Sequence, residues 1–354
     1  MLISLIRVCF FLLLMIAPLT YVHARSQTAN EIDRYVREIQ HAHRIPGLAL
    51  AIVKEGKLIH RANYGLANIE FSMPVSDDTV FPLFSTTKIF SVVAVHQLIE
   101  QGKLSLDSKL EDFLSDLPAA WREVKIKHLL SHSSGLPDIL AYENLPEAEA
   151  QQAVYSQAIL FKPGEQFDYN QTNYWLLNRI FQKLLGQSLS THILENQFAG
   201  TQASVFFEGN HLAVMPNFSS GYNNTADKLT KRNWHFPQYN YGAAGLNLSM
   251  DAFLNWNKKL DEGGLLTSTS MTNLRQVFLY TKPRKFTHGW DFIELNGVAT
   301  YGFTGGMATA FRQVPQKKLT LILLANAMFI PTAQRPSLEA IVNRLLLMAE
   351  ALPQ

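Results

Sequence analysis

The stretch FPLFSTTKIFSVVAVHQLIEQGKL, residues 81–104, places a serine and a lysine three positions apart at the start of an apolar segment. Helical spacing relates the apolar residues Ile89, Val92, Val93 and Ile99. Gly102 follows them as a stop signal, so the pattern predicts a helix. Ser85 would then lie in the first turn, where backbone N–H groups have no partner within the helix. Lys88 would lie on the same face one turn later.

Two interpretations of Ser85 and Lys88 are open at this point. In the first, Lys88 is desolvated, its pKa falls, and its amine accepts the Ser85 proton while the Ser85 N–H group stabilises an oxyanion. In the second, Ser85 is a helix N-cap and Lys88 is an ordinary surface residue. The serine-x-x-lysine spacing does not decide between them, because about one such match is expected by chance in a chain of this length.

The first residues predict a secretory leader and an exported protein, periplasmic or secreted. Residues 1–24 contain Arg7, an apolar run from Val8 to Leu19, and small residues before Arg25. The run is short for a membrane span, so no stable span is expected after leader removal, although an uncleaved anchor stays an alternative. The only cysteine, Cys9, lies in this segment, so the mature chain would have neither disulfides nor a thiol nucleophile.

Charge is nearly balanced, with 31 basic and 29 acidic residues, and no basic tract indicates nucleic-acid binding. Along the chain, residues 29–41 predict an amphipathic helix, and β-type runs flank a turn at residues 55–56. Helical and loop patterns follow, and strands return from about residue 240 before a closing helix. The pattern predicts one sheet made from both chain ends, residues 25–84 and 236–354. Residues 85–235 would form a mostly helical inserted domain, with a cleft between the two parts.

Residues 81–114 resemble the serine β-lactamase and penicillin-binding protein superfamily, in particular its class C-like branch of carboxypeptidases and esterases. Further matching segments follow in the family's order: IKHLLSHSSGLPD (126–138), FKPGEQFDYNQTNYWLLNRI (161–180), YGAAGLNLSMDAFLNWNKKLDEGGLL (241–266) and YGFTGGM (301–307). The resemblance covers essentially the whole mature chain. It implies an α/β fold, a mainly antiparallel sheet flanked by helices in an α-β-α sandwich. It also implies that Ser85 is the nucleophile and Lys88 its base, without a metal or organic cofactor.

The family's second element is Tyr-x-Asn, and the matching residues 169–171 read Tyr-Asn-Gln. The resemblance implies that Tyr169 relays protons between nucleophile, lysine and leaving group; a phenolate there would need a nearby cation, for which Lys88 is the candidate. Gln171 departs from the pattern but keeps an amide for binding a substrate carbonyl or orienting Lys88. A buried structural tyrosine is the alternative. Literal Tyr-x-Asn strings also start at Tyr142 and Tyr222, without matching flanks.

The family's third element, Lys-Thr-Gly or His-Thr-Gly, corresponds here to Phe303, Thr304 and Gly305. Thr304 keeps a hydroxyl for the substrate, and the Gly306 N–H group is the candidate second oxyanion donor beside Ser85. Phe303 has no charge to bind a carboxylate. We therefore expect penicillins and D-alanyl-D-alanine ends to bind less well than neutral esters or amides.

Histidines and aromatic residues offer further alternatives. His128 and His132 have the i, i+4 spacing of a zinc pair, but no third ligand is evident, so no metal site is predicted. His288, on a predicted neighbouring strand, is a candidate substitute for the missing base of the third element. The aromatic residues at 234–241 either line the mouth of the cleft, where they would favour an apolar acyl group, or serve in core or lid packing.

Three functions fit the sequence. The first is an exported serine hydrolase that acts through an acyl-enzyme on small-molecule ester, amide or peptide carbonyls, including β-lactam or D-Ala-D-Ala types. The second is a catalytically weakened binding or sensor protein on the same scaffold, as the replacements Phe303 and Gln171 suggest. The third is a transferase or peptidase specific for peptidoglycan stems. The sequence predicts no oligomeric state.

Overall fold

A computed structural model describes residues 30–201, 204–224, 228–280, 285–306, 309–333 and 335–352. The predicted leader, residues 1–24, lies outside these ranges. Within them, every helix is too short or too polar to cross a lipid bilayer.

The central element is a nine-stranded antiparallel sheet in the order β3-β2-β1-β14-β13-β12-β11-β10-β9. Glu55 and Gly56 both have positive φ, 50° and 75°, which is the geometry of a tight hairpin turn between β1 and β2. The strands of this sheet are β1 (Gly47–Lys54), β2 (Lys57–Asn68), β3 (Met73–Pro74), β9 (Val277–Phe278), β10 (Phe286–Thr287), β11 (Asp291–Leu295), β12 (Val298–Gly305), β13 (Thr309–Val314) and β14 (Leu319–Ala325).

Helices cover both faces of this sheet. The helices are α1 (30–43), α2 (Lys88–Glu100), α3 (Ile126–Leu130), α4 (Glu147–Tyr155), α5 (Thr172–Leu185), α6 (Leu189–Gln197), α7 (Tyr241–Ala244), α8 (Met250–Asp261), α9 (Ser268–Arg275) and α10 (Leu338–Glu350). Along β1, Leu50 and Ile52 face α1 and α10, whereas Ala49 and Ala51 face the core around α2. This alternation follows the two-residue period of a strand. The predicted α/β fold with a large antiparallel sheet flanked by helices is confirmed.

Helix α2 lies at the centre of the molecule, and residues from Lys88 to Val95 are buried without interruption. The sequence predicts a one-sided stripe, but α2 packs against the sheet and also against α5, α6 and α7. A helix that is enclosed on all sides is apolar all round. Lys88, an ionisable residue, belongs to this helix and therefore lies inside the core.

A second, three-stranded sheet has the order β4-β8-β5 and connects the two predicted parts of the chain. β4 (Val80–Pro82) comes immediately before Ser85 and pairs with β8 (Leu246–Ser249), while β5 (Val205–Phe207) pairs with the other edge of β8. A separate hairpin joins β6 (Gly221–Asn224) and β7 (Leu229–Arg232). The domain limits at 84/85 and 235/236 stay a prediction.

Candidate active site

Ser85 lies in a short 3-10 turn, Phe84–Thr87, and α2 begins at Lys88. Phe84 has a φ of +47°, a left-handed conformation that is unfavourable for a bulky residue. Its ring is held by Trp234 at 5.0 Å and by Phe236 at 5.6 Å between centroids. These two aromatic residues of the 234–241 segment therefore pack against the residue that precedes Ser85, and they stabilise a strained backbone there.

Hydrogen bonds fix the same turn to two strands. The Leu83 N–H group donates to the Leu246 carbonyl at 2.9 Å, and the Leu246 N–H group donates to Thr87 Oγ1 at 3.2 Å. Thr309 Oγ1, on β13, donates to the Leu83 carbonyl at 2.9 Å and lies 2.8 Å from Thr86 Oγ1. Because these hydrogen bonds hold residues on both sides of Ser85, they fix the position of Ser85 relative to the two sheets.

Gly305 lets β12 pass close to this turn, and we expect Gly305→Ala to destabilise the site. A Cβ atom at residue 305 would lie 2.7 Å from the hydroxyls of Thr86 and Thr309 and 2.9 Å from the Leu83 carbonyl. Overpacking of this kind costs about 1–3 kcal/mol. Urea unfolding is expected to show that loss, together with reduced labelling of Ser85 by a fluorophosphonate. Gly306→Ala, which meets no atom within 4 Å, is the matched control for stability.

Lys88 is completely buried, and burial lowers its pKa to about 7, against a smaller opposing effect of the Asp138 carboxylate. Its Nζ atom donates to the Ala243 carbonyl at 2.9 Å. The same atom lies over two phenol rings, 4.9 Å from the centroid of Tyr169 and 5.0 Å from that of Tyr174. This amine is held between the rings and loses its proton near neutral pH.

Tyr169 is at the boundary between the core and solvent, with 38% of its surface exposed. Desolvation of its phenol raises its pKa, and a hydrogen bond with the Ser85 side chain only partly offsets this effect. Its ring also packs on His132, with centroids 4.5 Å apart. The phenol therefore keeps its proton at neutral pH.

The hydrogen bonds described for Gln171 go to Asp138, whereas the one described for the Lys88 amine goes to the Ala243 carbonyl. The Gln171 Nε2 atom donates to Asp138 Oδ2 at 3.3 Å, and its backbone N–H group donates to Asp138 Oδ1 at 3.1 Å. The extra methylene of glutamine and the nearby carboxylate account for this placement, since the amide finds a charged acceptor. Asp138 has a further effect, because its negative charge opposes the loss of a proton from Lys88.

A cavity of about 310 Å³ opens beside Ser85. It is lined by Ser85, Phe167, Tyr169, Phe286, Asp291, Phe303, Thr304 and Gly306. Five of the predicted site residues thus meet at one opening, with Lys88 beneath it, whereas Gln171 and Gly305 are not among the lining residues. A larger cavity of about 780 Å³, near Asp251 and Lys258, contains none of the predicted residues. We therefore take the smaller cavity as the candidate site.

Phe303 is 5% exposed and packs beside Tyr169, with ring centroids 6.2 Å apart. His288, the candidate replacement for the missing base, does not line the cavity; it lies in the turn between β10 and β11. Its Nδ1 atom is 3.2 Å from the Asn273 carbonyl, and burial lowers its pKa. Among the described residues that line the cavity, none carries a positive charge.

The histidines of the HLLSH segment serve the local structure. His128 Nδ1 accepts from the Lys125 N–H group at 3.2 Å, and His132 Nδ1 accepts from the Asn170 N–H group at 3.1 Å. Within the described ranges, no three His, Cys, Asp or Glu side chains come together in a way that could hold a metal ion. His132 instead supports the ring of Tyr169.

The sequence did not predict four residues that lie at or near the candidate site. Phe167, Phe286 and Asp291 line the cavity, and Asp138 acts electrostatically on Lys88. Asp138 follows the matched SGLP string, and Phe167 precedes Tyr169 by two residues, so proximity to a motif was a usable signal for both. Phe286 and Asp291 reach the cavity only through the pairing of β10 with β11. No short stretch of the sequence indicates that pairing.

Comparisons with known proteins show which family and which fold the chain resembles. A family model described as Beta-lactamase matches residues 32–343. A "Putative D-alanyl-D-alanine carboxypeptidase" of Escherichia coli O157:H7 is 24% identical over 365 residues, covering 86% of this chain and 83% of that protein. "Protein flp" of Staphylococcus aureus (strain N315) is 28% identical over 179 residues, covering 48% of this chain and only 36% of that relative.

A solved structure shows a similar fold. D-amino acid amidase from Ochrobactrum anthropi SV3, complexed with D-phenylalanine, has a TM-score of 0.75 and 20% sequence identity, covering 90% of this chain and 99% of that one. At this level of identity the likeness concerns the arrangement of the backbone. It places the sheet and the helices around Ser85 in a known architecture.

Proposed function

This chain belongs to the Beta-lactamase family of serine hydrolases, and from that premise we propose that it is an exported hydrolase that cleaves ester or amide bonds through an acyl-enzyme on Ser85. One observation carries the proposal. Lys88, the first residue of α2, is fully buried with a pKa of about 7, and its amine lies between the rings of Tyr169 and Tyr174; Tyr169 and Ser85 both line the adjacent cavity. This is the arrangement that an activated serine requires.

In acylation, neutral Lys88 accepts the Ser85 proton while Ser85 Oγ forms a bond to the substrate carbonyl carbon. The N–H groups of Ser85 and Gly306 are the proposed donors to the resulting oxyanion. The bond to the leaving group then breaks, and the leaving oxygen or nitrogen takes a proton from the Tyr169 phenol, which regains one from Lys88. The Thr304 hydroxyl, at the cavity wall, is the proposed partner for a polar substrate group.

In deacylation, water attacks the same carbonyl carbon and gives one proton to Tyr169, while the phenol passes its own proton to neutral Lys88. The Ser85–carbonyl bond breaks, Ser85 takes a proton back from Lys88 through Tyr169, and the carboxylic product leaves. Lys88 and Tyr169 are then both neutral again. No external oxidant, metal or organic cofactor enters either step.

The proposal is tested by mass spectrometry of the purified mature chain after exposure to a fluorophosphonate, a penicillin and a p-nitrophenyl ester. We expect fluorophosphonate to add its mass to the peptide that contains Ser85, and the ester to add an acyl group that disappears with time. Ser85→Ala is expected to remove both labels. Ser91→Ala is the control, because Ser91 lies on α2, six residues after Ser85, and its hydroxyl donates to the Gly242 carbonyl. If neither reagent labels Ser85 in a folded chain, the hydrolase proposal fails.

We predict an acid limb in the pH profile of kcat/KM with a midpoint of about 7. Lys88 must be neutral to accept the Ser85 proton, and its lowered pKa means that it becomes neutral as the pH rises through about 7. Activity on a neutral ester should therefore increase from pH 5 to 8 and then level. A midpoint near the ordinary lysine value would show that the pKa of the base is not lowered, and a midpoint that is unchanged in a Lys88 variant would show that Lys88 is not the base.

A weakened binding or sensor protein is the second candidate, and the observations that favour it are Phe303 in the cavity and the engagement of Gln171 by Asp138. Removal of one electrostatic partner typically reduces turnover by about 10²–10³. In the labelling experiment this candidate differs from a hydrolase, because its acyl adduct on Ser85 persists. Activity specific for peptidoglycan stems finds less support, since the described cavity offers no cation for a terminal carboxylate.

A further inference from the structure

The residue immediately before Ser85, Phe84, is surrounded by three aromatic rings. His211, Trp234 and Phe236 each meet the Phe84 ring edge to face, with interplanar angles of 76°, 70° and 80° and centroid distances of 5.6 Å, 5.0 Å and 5.6 Å. This is a favoured geometry for aromatic pairs. Phe84 is only 4% exposed, so its ring is almost fully enclosed. We call His211, Trp234 and Phe236 the aromatic cluster.

The aromatic cluster comes from two loops that are fixed to each other. The His211 N–H group donates to the Trp234 carbonyl at 3.0 Å, and the Phe236 N–H group donates to the Gly209 carbonyl at 3.1 Å. A Cβ atom at residue 209 would overlap the Phe236 carbonyl oxygen, so glycine is what allows the two loops to approach so closely. The rings around Phe84 therefore have a defined position.

Trp234 has the shortest ring distance to Phe84 and is itself held on its faces. Its ring stacks on Phe236 with an interplanar angle of 10° and centroids 5.8 Å apart. The Arg232 guanidinium lies over the indole, 3.4 Å from the ring centroid, which is a favourable cation–π contact. The indole N–H group has no hydrogen-bond partner among the described residues, so Trp234 acts through its ring.

Phe84 needs this support because its backbone is strained. Its φ of +47° lies in the left-handed region, where Cβ crowds the following carbonyl oxygen, and a bulky residue stays there only if its surroundings enforce it. Leu83 is hydrogen-bonded to β8, and Thr86 is hydrogen-bonded to β13. Only Phe84 and Ser85 lie between these two fixed residues. Relaxation of Phe84 to a negative φ would therefore displace Ser85.

The aromatic cluster does not take part in the chemistry directly. Among the described residues that line the candidate active-site cavity, no member of the cluster is present. His211 is uncharged in the pH range where Lys88 loses its proton, because burial lowers the pKa of His211 to about 4. The cluster reaches the reaction only through the backbone of Phe84, next to the nucleophile.

We propose that the aromatic cluster, with Trp234 as its main member, positions Ser85 for attack by holding Phe84 in the left-handed conformation. The inference rests on the proposed function and adds positioning residues to it. It predicts an effect on the chemical step and little effect on substrate binding. Misplacement of a reacting group by about 1 Å can reduce a rate by about 10²-fold.

The test follows the irreversible labelling of Ser85 by a fluorophosphonate at a series of reagent concentrations. The limiting rate constant reports the chemical step, and the half-saturation concentration reports binding, as in a separation of kcat from KM. The final extent of labelling counts the folded, reactive chains, so a variant that is partly unfolded does not distort the rate. Release of p-nitrophenol from a p-nitrophenyl ester is measured in parallel as turnover.

Substitutions of Trp234 test the role of its ring. We expect Trp234→Ala to lower the limiting rate constant by about tenfold to hundredfold and to change the half-saturation concentration by less than about threefold. Trp234→Phe should retain most of the rate, because it keeps a ring and loses no hydrogen bond. Trp234→Leu, which keeps apolar volume without a ring, should resemble Trp234→Ala.

Tyr35→Ala is the matched control for the loss of an aromatic ring. Tyr35 is buried on the α1 and α10 side of the large sheet, and the Arg344 guanidinium lies 4.3 Å from its ring centroid. This variant should lose stability in urea unfolding but keep the wild-type rate of labelling per reactive chain.

Substitutions of Phe84 separate backbone strain from packing. Phe84→Gly and Phe84→Ala both remove the ring, but only glycine adopts a positive φ without a steric cost. We expect labelling to be about tenfold faster in Phe84→Gly than in Phe84→Ala. If packing alone mattered, glycine would be no better than alanine. Once Phe84 is glycine, Trp234→Ala should cause no further loss.

The outcomes separate this inference from the function on which it rests. Equal rates in Phe84→Gly and Phe84→Ala, or an unchanged rate in Trp234→Ala, would overturn the inference while leaving an active hydrolase. A loss from Trp234→Ala that persists in the Phe84→Gly chain would also overturn it, since Trp234 would then act independently of Phe84. Absence of both labelling and ester turnover in the folded wild-type chain would overturn the proposed function itself.

Discussion

Replacement of Lys88 by methionine is expected to reduce kcat/KM by about 10³–10⁴ and, at the same time, to make the chain more stable. The activity loss follows because methionine keeps the length of the side chain but has no lone pair to accept the Ser85 proton. The stability gain follows because Lys88 is completely buried with Ala243 as its hydrogen-bond acceptor. A methionine there needs no such partner, and the gain should be roughly 1–2 kcal/mol.

The pH dependence of that gain has a definite sign. The Lys88 pKa is about 7 in the folded chain and near 10.5 in the unfolded one, so between these values the unfolded state binds more protons. Wild-type stability should therefore rise with pH across this window, and the advantage of Lys88→Met should be largest below pH 7 and fade toward pH 10.

Urea unfolding at pH 6 and pH 9, paired with steady-state kinetics, measures both effects. Lys109→Met is the control, because Lys109 is exposed and makes only surface ion pairs with Glu111 and Glu123. A Lys88→Met chain that retains activity would show that the base lies elsewhere. Loss of stability at both pH values would show that Lys88 is a structural residue.

The burial that makes Lys88 reactive explains what the sequence does and does not predict. The serine-x-x-lysine spacing predicts that the two residues share a helix face, and the structure places Lys88 at the first position of α2. The spacing contains no information on the partners of its amine, the Ala243 carbonyl and the rings of Tyr169 and Tyr174. Those partners are distant in sequence, and tertiary packing brings them together.

Local patterns predict the hairpin at residues 55–56, helix α1 and the closing helix α10 well, because turn chemistry and helical periodicity are short-range. The chemistry of the cavity is predicted less completely. Phe303 signals from the sequence that a cation is missing, but the presence of Phe286 and Asp291 at the cavity depends on the pairing of β10 with β11. No single segment contains that arrangement.

Conversion of Tyr169 to phenylalanine is expected to reduce kcat/KM by about 10²–10⁴, with a loss that depends on the leaving group. Tyr169 is the proposed donor to the departing oxygen or nitrogen. A nitrophenolate departs without protonation, whereas an alkyl alcohol or an amine does not. The loss should therefore be small with a p-nitrophenyl ester and large with an alkyl ester or an amide of the same acyl group.

The chain offers a matched control for this substitution, because Tyr174 also flanks Lys88, with its ring 5.0 Å from Nζ compared with 4.9 Å for Tyr169. The Tyr174 hydroxyl is completely buried and has no hydrogen-bond partner among the described residues, so its removal costs little or stabilises the chain. Tyr174→Phe should keep wild-type kcat/KM on every ester. If both variants lose activity equally, or if Tyr169→Phe slows all leaving groups alike, the hydroxyls act by positioning Lys88, and Tyr169 is not the proton donor to the leaving group. A loss confined to Tyr169 and to poor leaving groups would require its hydroxyl as the proton donor, since both variants keep the aromatic contact with Lys88.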